Sequence, residues 1–413
     1  MNSEHASATT SPLRPQDRIK ELDVIRGFAL LGILLVNMLY FKSPLLHTIQ
    51  TPAEISGFWD QAGAWFIQLL ATGKFYAIFS FLFGLGFYIF LERLTAKGLD
   101  PTSLYRRRLV GLMMFGLVHL ILIWSGDILF SYSVVGFILI AFRDMELKLL
   151  SRWILVLFIL AVLVEGGNYA LYNLGELALG KEFAEYQAAH LQETMQVFRE
   201  GGFMEILVFR LTTEVFSVLI SLIFVIPVLL AYFLCGVYAG KIALFKNVGK
   251  HLQFINKIWR WGLCLGVMLT VIYVMINTGV LPVPSFWEYP LLAMINQAAS
   301  IFLSAFYVTS LILLMQREFW KKVLVVLAAP GRMALTNYLT QSVICVLIFY
   351  GYGLGYFGQV SIGMGICLTL AIWLLQVFWS NWWMARFNYG PLEWLWRGFT
   401  YRQKPPMQNK KVM

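Results

Sequence analysis

The chain has 413 residues, of which 59% are hydrophobic, 16% aromatic and only 13% charged, with a formal net charge of +10. No water-soluble core can hide that share of apolar side chains, so the composition excludes a soluble globular enzyme and puts the chain in a bilayer. The basic surplus is spread along a membrane chain instead of lining a soluble groove, which argues against nucleic acid as a partner.

The first 20 residues are polar and Ser/Thr-rich and lack an apolar signal core. They predict a disordered cytoplasmic tail rather than a cleaved signal peptide. Crossing about 30 Å of hydrocarbon takes roughly 20 apolar residues. Ten runs suit that length: Leu22 to Phe41, Phe75 to Leu91, Leu104 to Trp124, Ile128 to Phe142, Trp153 to Tyr172, Val215 to Ala239, Trp261 to Asn277, Leu291 to Met315, Met333 to Tyr350 and Ile362 to Ala385. With the N-terminus inside, the inner segments and span mouths hold 27 of the 32 Lys and Arg. Such asymmetry predicts cytoplasmic termini, and a miscount by one span would scramble it. The expectation is an all-α polytopic membrane bundle, a single transmembrane domain over 21–400 with a basic cytoplasmic tail at 401–413.

The outer segments hold 12 of the 22 Asp and Glu, chiefly between Glu165 and Glu214. Within a cap region of about 165–205, Phe183 to Phe198 has apolar residues at intervals of three and four, which predicts a helical hairpin. Phe58 to Leu70 reads as an interfacial amphipathic helix. Pro227 should kink the sixth span. Gly84-Leu85-Gly86 suggests close helix contact, and Gly351 to Gly358 a tight outer turn. Cys235, Cys264, Cys345 and Cys367 show no paired spacing, so neither disulfides nor cysteine metal sites are expected. No internal repeat is evident, which weakens a transporter built from inverted halves.

Polar groups within spans are costly to desolvate and are functional candidates by default. Topology sorts them into two sets. At the inner face lie Asp23, Arg26, Arg106, Arg107, Arg108, Arg332, Thr336, Asn337 and Gln341. Asp23 and Arg26 are one helical step apart and can pair, either as an anchor or as part of a site. The arginine triplet offers planar forks that match phosphate oxygens, or else it orients the span and meets anionic lipid. At the outer face lie Asn37, His47, His119, Ser125 and Asp127. Imidazole titrates near pH 6.5, which suits His47 to general-base work, and Asn37 can donate to a developing oxyanion. His119 is a second acid/base candidate or a structural histidine, eight residues before Asp127. No P-loop, paired-His metal motif or G-x-S-x-G elbow is present.

The stretch Arg18-Ile19-Lys20-Glu21-Leu22-Asp23-Val24-Ile25-Arg26-Gly27-Phe28, followed by Asn37, resembles the bacterial YeiB-like membrane proteins, a family of unknown function. So do Gly331-Arg332-Met333-Ala334-Leu335-Thr336-Asn337-Tyr338 and Gly390-Pro391-Leu392-Glu393-Trp394-Leu395-Trp396-Arg397. The first block is also similar to the opening helix of the heparan-α-glucosaminide N-acetyltransferase type of transmembrane acyltransferase. There an Asp-x-x-Arg-Gly core precedes an Asn and then an active-site His, an order matched by Asp23, Arg26, Gly27, Asn37 and His47. The Gly-rich and His-Ala-Pro context of that histidine is absent here.

The resemblance implies a multi-pass protein of the bacterial inner membrane. It would move an acyl group, acetyl foremost, from cytosolic acyl-CoA to an amine or hydroxyl of a small-molecule or glycan acceptor at the outer face, with no metal. Asp23, Arg26, Arg106, Arg107, Arg108, Arg332, Asn337 and Arg397 would serve the CoA. His47, Asn37, His119 and Asp127 would serve the chemistry. Membrane lipid, and a second copy in a homodimer, are the partners this picture allows. The rival class is a small-solute transporter using Asp23, Arg26 and His119. A non-catalytic scaffold would need none of these residues.

Overall fold

The computed structural model describes residues 19–44, 52 and 55–408. Among them every regular element is helical, and only an isolated bridge joins Phe387 to Gln408. Hydrocarbon offers the backbone no partner, so each spanning segment must satisfy its own N–H and C=O groups, as a helix does.

The order is α1 (Lys20–Lys42), α2 (Phe58–Leu70), α3 (Lys74–Ala96), α4 (Pro101–Val118), α5 (Leu129–Leu139), α6 (Leu147–Leu179), α7 (Lys181–Glu200) and α8 (Phe203–Phe209). Then come α9 (Val215–Lys241), α10 (Val248–Asn277), α11 (Ser285–Met315), α12 (Glu318–Leu324), α13 (Ala328–Arg332), α14 (Ala334–Phe349), α15 (Ile362–Arg386) and α16 (Pro391–Tyr401). All ten predicted runs fall on helices. Among the described residues seven helical stretches are long and apolar enough to cross a membrane, and an eighth arises if Glu318–Arg332 and Ala334–Phe349, bent by 75°, form one span. The third and fourth runs, α4 with its continuation and Leu129–Phe142, are the ones outside that set. One carries the arginine triplet and the other is short.

Burial sorts the helices into a centre and a periphery. The most apolar window of α1 is 61% buried, whereas those of α6 and α10 are each 17% buried. α1 packs against α3, α13, α14 and α15. Along α6, Leu155, Ile159 and Leu163 stay exposed, as lipid-facing side chains do. α3 and α9 touch through glycine: a Cβ on Gly84 would stand 1.9 Å from the Phe233 carbonyl oxygen, and one on Gly236 2.1 Å from that of Phe81. Gly86 faces open space, so only the first glycine of that predicted pair makes the contact. α9 continues as a helix through the buried Pro227.

α6 runs on to Leu179 and breaks at Gly180 before α7, and the Tyr172 and Phe183 rings meet across the break at 5.2 Å. The turn at 350–358 packs on the end of α7, with Gly351 N donating to Phe198 O at 2.9 Å and Arg199 Nε to Phe357 O at 3.1 Å. Phe58 and Trp59 at the start of α2 are 74% and 78% exposed, the placement of an interfacial aromatic belt. The four cysteines are free thiols.

Candidate functional site

Asp23 and Arg26 pair as their spacing predicts, with Arg26 Nη1 donating to Asp23 Oδ1 at 2.9 Å. Their helix is held by a backbone joint. A Cβ on Gly331 would lie 1.9 Å from the Asp23 carbonyl oxygen, and one on Gly27 would lie 2.0 Å from that of Leu327. Glycine alone allows that approach, so the Asp-x-x-Arg-Gly and Pro-Gly-Arg motifs are two halves of one contact.

The joint points Arg332 toward the same region. Its Nη2 donates to Asn388 O at 3.2 Å, its buried Nε has no partner among the described residues, and the charges of Asp23 and Arg397 reach it. Arg108 comes from α4, its guanidinium 4.0 Å above the Trp396 ring and 5.4 Å from that of Phe90, within reach of the charges of Arg397 and Arg26. Trp396 Nε1 donates to Arg108 O at 2.8 Å, tying α16 to α4. Arg397 itself lies 4.8 Å over the Tyr389 ring. Four guanidiniums from α1, α4, α13 and α16 thus gather with Asp23 as the paired acid. Such a surplus of planar donors suits phosphate oxygens.

The structure does not bring the predicted triplet together. Arg106 is exposed, and Arg107 is half-buried near the charge of Arg402. A helix turns about 100° per residue, so three neighbours cannot face one site. Asn337 also looks elsewhere: its Nδ2 donates to Pro330 O at 3.2 Å and Ser380 Oγ at 3.0 Å, and its backbone oxygen accepts from Gln376 Nε2 at 2.9 Å. Gln341 Nε2 continues that ladder to Gln376 Oε1 at 2.8 Å. This buried network ties α13, α14 and α15 together.

Glu393, quoted in the third motif without a role, caps α14. It accepts from Leu335 N at 2.7 Å, Thr336 N at 3.0 Å and Thr336 Oγ1 at 2.7 Å. Burial pushes its carboxyl above the ordinary glutamate value, and those donors pull it back. A Cβ on Gly390 would stand 2.1 Å from Glu393 Oε2, which explains the glycine before Pro391.

Beyond Val118, α4 widens into a π-helical turn, His119–Ile123. The chain then loops so that Asp127 returns to His119, with Nδ1 to Oδ1 at 2.8 Å and both side chains 0% exposed. Asp127 Oδ2 accepts from Phe130 N at 2.6 Å, holding the carboxylate at the start of α5. In the neutral ring, a carboxylate facing Nδ1 favours the tautomer with the proton there and the lone pair on Nε2. That Nε2 is buried with no partner among the described residues. Tyr338 and Trp124 flank the ring at 5.1 Å and 6.1 Å. Trp124 lies on Phe41 with centroids 4.0 Å apart, which brings in the outer end of α1, one turn beyond the half-buried Asn37. The structure therefore joins His119 to Asp127, while His47 lies outside the described residues.

Sequence reasoning missed Arg210. It begins a second π-helical turn, Arg210–Glu214, is 1% exposed, and donates from Nη1 to Ile121 O at 2.9 Å. The available signal was an arginine at the mouth of an apolar run.

A family model described as a protein of unknown function, DUF418, matches residues 239–403. Over 98% of its length the chain is 31% identical to the uncharacterized protein YxaH of Bacillus subtilis, covering 99% of that protein. It is 29% identical to the uncharacterized protein YeiB of Escherichia coli, over 95% of this chain and 99% of the relative. The chain belongs to the YeiB-like family. The matched DUF418 segment carries α13, α14 and α16, so the YeiB-like inner cluster takes Arg332 and Arg397 from inside it and Arg26 and Arg108 from outside it. All three YeiB-like motifs meet at this end: the first two through Gly27 and Gly331, the third through Glu393 on α14.

Proposed function

We propose that this YeiB-like protein moves an acyl group, acetyl foremost, from cytosolic acyl-CoA to an amine or hydroxyl at the outer face of the bacterial inner membrane. The observation that carries the reading is the division of chemistry along the protein: gathered guanidiniums at the inner end, and at the outer end a carboxylate-oriented histidine with an open Nε2. In this reading Arg108, Arg332 and Arg397 hold the CoA phosphates, Asp23 fixes Arg26 beside them, and the pantetheine runs between helices toward Asn37. His119 Nε2 takes the acceptor proton as its oxygen or nitrogen attacks the thioester carbonyl. Asp127 stabilises the resulting imidazolium, and Asn37 donates to the oxyanion. The C–S bond then breaks and the proton leaves on the CoA thiol. His47 is the competing base that the resemblance to the acyltransferases suggests.

Ten spans with both termini inside belong to the same proposal. Cysteine at position 190 should label from outside, and at position 250 only after permeabilisation. The main test is titration of purified protein with acetyl-CoA. Saturable binding that is lost in the Arg108→Gln/Arg397→Gln double variant is expected, and absence of saturable binding in folded wild-type protein sinks the reading.

A solute carrier draws on a separate observation. Lys74 is 1% exposed and donates to Gln68 O at 3.1 Å and Asn296 Oδ1 at 3.2 Å, beside a small cavity also lined by Thr270 and Tyr273. For a carrier working through that cavity, Lys74→Met is the disabling change and Arg108→Gln is silent.

A further inference from the structure

The acyl-transfer reading leaves the outer face's other buried charge without a task. Arg210 Nη1 is committed to Ile121 O, inside the π-helical turn that starts at His119. The opposite edge of its guanidinium, Nε and Nη2, has no hydrogen-bond partner among the described residues. Glu214 does not close it: Oε2 stands 3.9 Å from Nε and is itself unpartnered. The Ser125 hydroxyl bonds to that carboxyl and helps to hold it in place. The phenols of Tyr350 and Tyr352 also hydrogen-bond to the guanidinium, with its Cζ 6.0 Å from the Tyr350 ring centroid, yet Nε and Nη2 stay unmatched. Two unmet donors on a desolvated cation are costly unless a further group meets them. The Nε–Nη2 edge presents two parallel N–H groups that match the two oxygens of a carboxylate. Glu214 Oε2 offers an acceptor beside it for a hydroxyl or ammonium.

We infer that Arg210 and Glu214 form the acceptor subsite and that the acceptor is a carboxylate-bearing molecule of the hydroxy-acid or sugar-acid class. Its carboxylate binds the Nε–Nη2 edge and a neighbouring hydroxyl or ammonium binds Glu214. The subsite and the dyad border the same stretch of chain: Arg210 holds Ile121, Ser125 holds Glu214, and His119 and Asp127 lie at its ends. The word acceptor rests on the acyl-transfer reading, but the binding does not.

The test follows thermal unfolding of purified protein, free of acyl-CoA, titrated with glucuronate, glucose or glycerol 3-phosphate. Glucuronate should raise Tm saturably and glucose should not. Arg210→Gln should abolish the shift. Arg210→Lys, which keeps the charge but not the fork, should weaken binding about tenfold or more and serves if the glutamine variant does not fold. Equal shifts with glucose, no shift with glucuronate, or a glucuronate shift that survives both Arg210 variants overturns the proposal. Tighter binding of glycerol 3-phosphate than of glucuronate overturns the carboxylate assignment. A parallel acetyl-CoA titration separates the two ideas. If acetyl-CoA fails to bind while the Arg210-dependent shift persists, the acyltransferase falls and the carboxylate site stands. If acetyl-CoA binds and glucuronate does not, the subsite falls alone.

Discussion

At the Asp23 end of α1 four guanidiniums gather around one paired carboxylate, whereas toward the Phe41 end acids and bases stand side by side with both donors and acceptors unmet. The inner groups are also braced differently. Backbone contact at Gly27 and Gly331 and the aromatic faces of Trp396 and Tyr389 fix them. Guanidiniums stay protonated at any working pH, so that end can bind an oxyanion but cannot exchange protons. The outer end has an imidazole lone pair, a guanidinium edge and a carboxylate oxygen, the mixture that proton transfer needs. Among the described residues both π-helical turns, His119–Ile123 and Arg210–Glu214, occur there, and such turns often mark functional sites. Under the proposed acyl transfer this is a division of labour, with anchoring at the Arg26 end and chemistry at the His119 end.

The largest effect that could break this comparison is at the dyad. His119→Ala should lower acyl transfer by about 10² to 10⁴, with acetyl-CoA affinity unchanged. Asp127→Asn should leave the ring in place but with the wrong tautomer, and reduce the rate in the same direction. Should His47→Ala lose transfer while His119→Ala keeps the wild-type rate, His119 is structural and the base lies in the segment after α1.

Next in size is the inner cluster. Losing Arg108 and Arg397 together to Gln should weaken acetyl-CoA binding by several kcal/mol, at about 1.5 to 3 kcal/mol per charged hydrogen bond. Arg106→Gln should change the affinity little, because that side chain is exposed. Equal losses in both, measured by titration calorimetry, would restore the triplet as a unit.

A smaller effect tests the brace. Gly27→Ala puts a methyl 2.0 Å from the Leu327 carbonyl oxygen and should destabilise by about 1 to 3 kcal/mol, read as a lower Tm. Smallest is Glu393→Gln. It keeps the shape of the α14 cap but removes the charge, which should cost about 1 kcal/mol because hydrogen bonds to a charged acceptor are stronger than neutral ones. An unchanged Tm would mean that the neutral cap serves equally well.

Much of this was legible before any coordinates. The Asp23–Arg26 pair followed from a spacing of three, and the helix over Lys181–Glu200 followed from apolar periodicity. The arginine triplet was over-read because adjacency in sequence is divergence on a helix. Asn337 looked like a binding residue because a buried amide has the same letters whether it faces a ligand or a neighbouring helix. His119 and Asp127 stand eight residues apart in the sequence, but their contact depends on a π-helical turn and a loop that leave no periodic signature. Arg210, beside acidic residues at a span mouth, has the sequence context of an ordinary solvated charge.

By itself the sequence determined that the chain is an all-helical membrane protein, and it supplied the apolar runs, the charge asymmetry and the YeiB-like motifs. Those properties depend on residue order at short range, through the length of hydrocarbon to be crossed and the need to satisfy every backbone group within it. Only the tertiary structure decided which polar side chains meet. Gly27 finds Gly331 and Arg108 finds Trp396 through the way helices distant in sequence cross, and His119 finds Asp127 across a π-helical turn and a short loop. Crossing geometry is set by side-chain shape on both partners at once, and one helix's sequence does not contain the other's surface.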